Sequence, residues 1–184
     1  MSLIKQEKLA YVSALTALAI ILRFFELPFP LLTWLKYDAS GVPLAVLAFQ
    51  GYRLLAYSLP IYYIVSVALG ADVVGMGMKV LAEASTIVPL IYLYKKYRSR
   101  RMMEIVLPVT GATAGRVVVM HLFNVIVTPL WLVYSYGMSY EAAQSYVYSV
   151  ILLIDVFNLT IAIPVSLASI LVLKRLLKTG TVHG

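Results

Sequence analysis

A few polar side chains interrupt otherwise apolar runs of this sequence. Lys79 and Glu83 stand four residues apart, which puts them on one helical face. Arg116, His121 and Asn124 fall within one long apolar run, and Asp155 and Asn158 within another. Ionisable groups in apolar spans are costly, so each is expected either to neutralise a neighbour or to serve a ligand or ion. Both readings stand. In the first, Arg116 pairs with Glu83 or Asp155 as structural support. In the second, Lys79, Asn124 and Asn158 contact a ligand, with Glu83 and Asp155 as further candidates. His121 reads as a structural donor or a proton relay, and His121 with Asp155 is the pair that would have to carry any catalysis. A separate cluster, Trp34, Lys36, Tyr37 and Asp38, puts an aromatic, a base and an acid within five residues after a proline-stiffened stretch. It reads as an interfacial aromatic belt or as the wall of a pocket. Such a wall suits a flat, mostly apolar ligand with polar edges.

The elements that must position these residues are membrane spans. The chain has 184 residues, 62% of them hydrophobic and 12% charged, and its mean hydropathy is +0.91. Soluble domains are about 45–50% apolar and about 25% charged. Composition therefore excludes a soluble enzyme and a nucleic-acid binder. It predicts an all-α integral membrane protein, a single unit over 1–184 in the cell membrane, with roughly five or six spans of about 20 residues. There is no cysteine, which excludes disulfides and thiolate metal sites. The two histidines are too few for a histidine metal cluster. No G-x-x-x-x-G-K-[ST], H-E-x-x-H or G-x-S-x-G motif is present. No catalytic residue, metal or resident cofactor is assigned.

The spans read as 9–25, a short one at 41–50, then 53–69, 78–94, 104–128 and 142–173. The first follows a basic N-terminus without a small-residue cleavage site and reads as a retained helix. Pro28 and Pro30 make 26–40 a structured loop. Gln50-Gly51-Tyr52-Arg53 is a tight turn, GADVVGMG a glycine-rich loop, and the fifth span is expected to stop near Pro129. Ten of the fifteen Lys and Arg residues lie at Lys5 and Lys8, in 95–101, and at Lys174, Arg175 and Lys178. Six spans bring these segments to one side, which the positive-inside rule makes cytoplasmic, with both termini there. Loops 26–40, 70–77 and 129–141 then face outward as a binding rim.

Small residues at four-residue spacing let helices approach closely. They occur as Ala10-x-x-x-Ala14 and Ser13-x-x-x-Ala17 in the first span and Gly111-x-x-x-Gly115 in the fifth. Intrachain packing or docking to another membrane protein would both use them, and the first span suits docking better.

The stretch FELPFPLLTWLKYDASGVPLAVLAF, residues 25–49, resembles the substrate-binding S components of energy-coupling factor (ECF) vitamin transporters, nearest to the riboflavin-specific ones. Its most specific part is Leu35-Lys36-Tyr37-Asp38-Ala39-Ser40-Gly41-Val42-Pro43. LAEAS before a basic run, Asn124 with Pro129-Leu130, and Val156-Phe157-Asn158 followed by Lys-Arg-Leu extend the likeness. The chain departs from the family at Tyr62-Tyr63, Ile161, Lys79 and Glu83. The resemblance implies a multi-pass subunit that captures a vitamin, riboflavin foremost, from outside. It also implies a transmembrane coupling subunit and two cytoplasmic ATPases as partners, with Ala10, Ser13, Ala14 and Ala17 as the docking face. Trp34, Leu35, Lys36, Tyr37, Asp38, Tyr62, Lys79, Glu83, Asn124, Asp155 and Asn158 would surround the ligand. A different small nutrient, a membrane enzyme acting on lipid or isoprenoid, and a standalone channel or secondary transporter are the competing readings.

Overall fold

The computed structural model describes residues 3–100 and 103–179, with side chains from Leu9 onward in the first helix. The side chains of Lys5 and Lys8, together with Arg101 and His183, lie outside the described residues. The elements run α1 (Leu3–Arg23), β1 (Leu27–Phe29), β2 (Leu32–Tyr37), α2 (Gly41–Gln50), α3 (Tyr52–Ala68), α4 (Val73–Tyr97), α5 (Met103–Tyr136) and α6 (Tyr140–Lys178). Helices α4, α5 and α6 are each long and apolar enough to cross a membrane. Helix α2 has ten residues, about 15 Å of rise, half of a hydrocarbon core. Being apolar all round, it is buried rather than amphipathic. Leu44, Ala45, Leu47 and Ala48 are fully buried, and the helix packs against α1, α3, α4 and α6.

Three expectations are corrected. The first concerns 26–40, expected as a structured loop: within an otherwise helical fold, residues 27–37 form a two-stranded antiparallel hairpin, with Leu27 opposite Tyr37, Pro28 opposite Lys36 and an irregularity between Pro28 and Phe29. Proline cannot donate to a ladder, and a two-stranded ribbon consists of edges, where that loss is tolerated. The hairpin leans on α6 through a ring cluster. Phe29 lies 5.6 Å and Tyr37 5.1 Å from Phe157, centroid to centroid. The second concerns α5, which continues through Pro129 to Tyr136. A proline costs a helix one hydrogen bond, and neighbouring helices make that bearable in an apolar bundle. What stops α5 is Gly137, in the left-handed region at φ +66, its amide donating to the Val133 carbonyl at 3.0 Å. The third concerns the glycine-rich loop, which is mostly the first turns of α4. Asp72 caps it by accepting from the Gly75 amide at 2.5 Å. The single residue Gly51 separates α2 from α3.

The end of the bundle opposite the hairpin is packed solid. Phe49 and Tyr94 pack as tilted rings 6.0 Å apart, the Lys95 ammonium lies 4.9 Å over the Phe49 ring, and Lys174 pairs with Glu104. Glycine spacing explains the closeness of α4 and α5. A Cβ at Gly115 would stand 2.8 Å from the Ser85 carbonyl oxygen, and one at Gly111 would strike Leu93. This stripe serves packing within the chain. In α1, by contrast, Ala10, Ser13, Ala14 and Ala17 are all exposed, while Thr16 and Ala19 face inward.

Candidate functional site

At the hairpin end the bundle encloses a cavity of about 460 Å³. Its deepest polar groups stand on three helices. Lys79 comes from α4, Arg116 from α5 and Asn158 from α6. Residues 116, 120, 124 and 128 repeat every fourth position, so α5 turns Arg116, Met120, Asn124 and Thr128 toward one side. All four line the cavity.

The floor is a hydrogen-bonded network. The Arg116 Nε donates to Asn158 Oδ1 at 3.0 Å, and its Nη1 donates to Thr86 Oγ1 at 3.2 Å. Nη1 also stands 3.6 Å from Glu83 Oε1. Glu83 is 1% and Arg116 3% exposed. A guanidinium this deep needs a countercharge, because a lone buried charge costs several kcal/mol, and Glu83 supplies it. Glu83 Oε2 makes no hydrogen bond among the described residues. Beside this network, Lys79 pairs with Asp38. The other Asp38 oxygen accepts from the Ser40 amide at 2.8 Å, and Tyr62 donates to the Ser40 hydroxyl at 2.9 Å. Asn124 Nδ2 donates to the Met120 carbonyl at 2.7 Å, and Thr128 donates to Asn124 Oδ1 at 2.8 Å.

The walls above are aromatic. Trp34 on β2 lies 5.9 Å from Trp131 on α5, and Trp131 meets Tyr136 edge-on at 5.4 Å. The Trp131 indole N–H has no acceptor among the described residues. At the mouth Glu26 accepts from Lys36 at 2.7 Å and stands 3.9 Å from Arg23. The arrangement offers flat apolar surfaces for a ring system and polar groups below for its edges.

Of the residues singled out in the sequence, Trp34, Leu35, Lys36, Lys79, Arg116, Asn124 and Asn158 line this cavity together. Tyr37, Asp38, Tyr62, Glu83 and Asp155 do not. Tyr37 shares a 2.8 Å hydrogen bond with Thr160 and packs on Phe157. Asp38, Tyr62 and Glu83 sit behind the wall in the contacts just given. Asp155 is bound to His121 Nδ1 at 2.8 Å, and neither lines the cavity. The sequence reading missed Met120, Thr128, Trp131, Tyr136 and Phe157. The four-residue period from Arg116 would have found Met120 and Thr128. A helix end at Pro129 places Trp131 and Tyr136 in a loop, whereas α5 carries both into the cavity wall.

A helical bundle with three long apolar helices and a polar-floored, aromatic-walled cavity at one end belongs to the class of ligand-binding membrane proteins. The sequence matches no protein-family model. It is 30% identical over 157 residues to the riboflavin transporter FmnP of Bacillus subtilis (strain 168), covering 80% of this chain and 82% of that one. The fold is similar to the solved S component of a bacterial ECF transporter. The TM-score is 0.78 at 26% identity, over 95% of this chain and 98% of that one. The chain belongs to this family of transporter S components, which are not enzymes.

Proposed function

We propose that this chain captures riboflavin from the outer side of the cell membrane and delivers it for ATP-driven uptake. The observation that carries the reading is the cavity itself: aromatic walls from Trp34 and Trp131 above a polar floor of Lys79, Arg116 and Asn158, in a member of this family. A tricyclic ring would pack against this tryptophan pair, and its carbonyl and nitrogen edges or a hydroxylated tail would meet the floor. Asn124 and Asn158 each keep an amide N–H free for this after their bonds to backbone carbonyls.

All six helices span in this reading, with the mouth outside and both termini in the cytoplasm. The Lys and Arg bias at the packed end supports that orientation. A transmembrane coupling subunit and two cytoplasmic ATPases complete the transporter. The exposed small-residue face of α1 (Ala10, Ser13, Ala14 and Ala17) suits close approach by a partner helix. A different vitamin is the second reading. It is favoured by Lys79 and Glu83, which depart from the family pattern and stand in or directly behind the cavity wall.

Titrating the detergent-purified protein with riboflavin tests the proposal. Stoichiometric binding with quenched flavin fluorescence is expected, without turnover. No binding at micromolar riboflavin would overturn the flavin reading, and a thermal-shift panel of other vitamins would then name the ligand.

A further inference from the structure

The packed end of the bundle carries more positive charge than its described side chains answer. Arg53 opens α3, four cations lie between Lys95 and Arg100 at the end of α4, and three between Lys174 and Lys178 at the end of α6. Glu104 is the one acidic side chain described at that end, and it pairs with Lys174. Rings hold the two lysines of α4 in place instead. Lys95 lies 4.9 Å over Phe49 and 5.9 Å over Tyr52, and Lys96 lies 6.0 Å over Tyr92 and 5.4 Å over Tyr97. A ring face attracts an ammonium but leaves its charge whole.

Membrane topology accounts for cations at helix ends. It does not account for the order of the residues that lead up to them. Arg53, Tyr57, Ile61 and Ile64 recur every three or four positions and are all exposed, so they form one outward stripe of α3. From Arg53 to Ile64 the helix rises about 16 Å, the hydrocarbon depth of one leaflet. On α4, Val88, Tyr92 and Lys96 are exposed at spacings of four and make a second stripe with the same order, alkyl, phenol, cation. The two helices are tied together at this level, where the Tyr52 hydroxyl donates to the Val88 carbonyl at 3.3 Å. A phospholipid presents a matching series along its length: acyl chain, polar linkage, phosphate.

We infer that the α3–α4 flank at the packed end binds an anionic phospholipid. Arg53, Lys95 and Lys96 take the headgroup, Tyr57 and Tyr92 lie at the ester level, and Ile61, Ile64 and Val88 lie along the acyl chains. The inference needs only membrane residence and holds whichever nutrient fills the cavity. A zwitterionic headgroup would bring its own ammonium to a surface already short of acids, so the charge selects an anionic lipid. A free phosphate or an acidic protein segment would use the cations alone and leave the tyrosine and alkyl positions without a role. Each Lys or Arg near a membrane surface contributes about fivefold in affinity for anionic lipid. That gain weakens as salt screens it.

The test uses the full chain purified in an uncharged detergent. Native mass spectrometry counts the lipid retained from an equimolar mixture of phosphatidylglycerol and phosphatidylcholine with the same acyl chains. Wild type is expected to favour phosphatidylglycerol by about tenfold or more. Arg53→Gln/Lys95→Gln/Lys96→Gln should cut that preference by about tenfold or more, whereas the charge-preserving Arg53→Lys/Lys95→Arg/Lys96→Arg should keep it. Circular dichroism checks that each variant folds. If the triple glutamine variant does not, Lys96→Gln carries the comparison, with a loss of about fivefold. Glycerol phosphate and polyglutamate, which offer the charge without acyl chains, should not displace the bound lipid at matched ionic strength. Equal retention of the two lipids by wild type, or an unchanged ratio in the glutamine variants that fold, would overturn the inference. Displacement by glycerol phosphate or by polyglutamate would also overturn it, and would reassign the surface to a soluble anion or an acidic protein segment.

Discussion

In α4–α6 one set of small and polar residues turns inward; in α1 four small residues turn outward. The inward set includes Gly115 against the α4 backbone, and Arg116, Asn124 and Asn158 around the cavity floor. The outward set is Ala10, Ser13, Ala14 and Ala17, all exposed. The same residue types thus serve opposite ends. Half-buried glycines let two helices of one chain, α4 and α5, approach closely. Exposed small residues leave a smooth surface that a helix of another chain can approach. On the proposed function the difference separates ligand handling from partner handling, and that reading predicts that each half can be damaged without the other.

The largest effect is expected at the floor. Arg116→Ala leaves Glu83 buried and unpaired, which costs about 3–5 kcal/mol of stability. Thermal unfolding in detergent should show the loss, and riboflavin titration should show no saturable binding. Next comes the opposite face. Ala14→Leu puts bulk on the small-residue surface, and uptake by the assembled transporter should fall by about tenfold or more, as expected for a spoiled helix contact. Riboflavin affinity of the isolated chain should stay within about twofold of wild type, since Ala14 faces away from the core. Loss of flavin binding in Ala14→Leu would break the division. A smaller change is expected at the wall. Trp34→Ala removes one aromatic face opposite Trp131 and should weaken riboflavin about tenfold, a stacking-sized loss, with melting temperature nearly unchanged. The smallest is Tyr37→Phe, which deletes the hydrogen bond to Thr160. It should cost about 0.5–1.5 kcal/mol in unfolding and leave affinity close to wild type. A large affinity loss there would mean that the hairpin's seating on α6 shapes the cavity.

Hydropathy and charge bias made the long helices and the short buried α2 legible in the sequence. The cavity was legible where one element carried its signal, as in the 34–38 cluster and the Lys79, Asn124 and Asn158 positions. It was illegible where two distant segments had to be read together. Asp38 looked like a rim group until β2 was seen to carry it behind the wall to Lys79. Asp155 shares a face with Asn158 by spacing, yet it lies on the side of α6 that meets His121. Spacing of three on a helix still leaves about 60° between side chains, enough to put one in a cavity and the other outside it. The hairpin was hidden because Pro28 argues against regular structure of either kind, and only a two-stranded ribbon accommodates it.

Gly41 has a consequence for how this sequence can change. A side chain there would run into the Glu83 carboxylate, and also come within 2.9 Å of Val165. With Glu83 in its present position, a Cβ at 41 has no room unless the carboxylate moves and Val165 gives way. Once position 83 becomes small, that restriction eases. The two sites, 42 positions apart in the chain, are therefore mutationally linked, and their order of substitution matters. A lineage that loses the acid first has only the Val165 contact left to relieve, whereas one that gains the side chain first meets both. Libraries built to retune this protein should vary 41 and 83 as a pair.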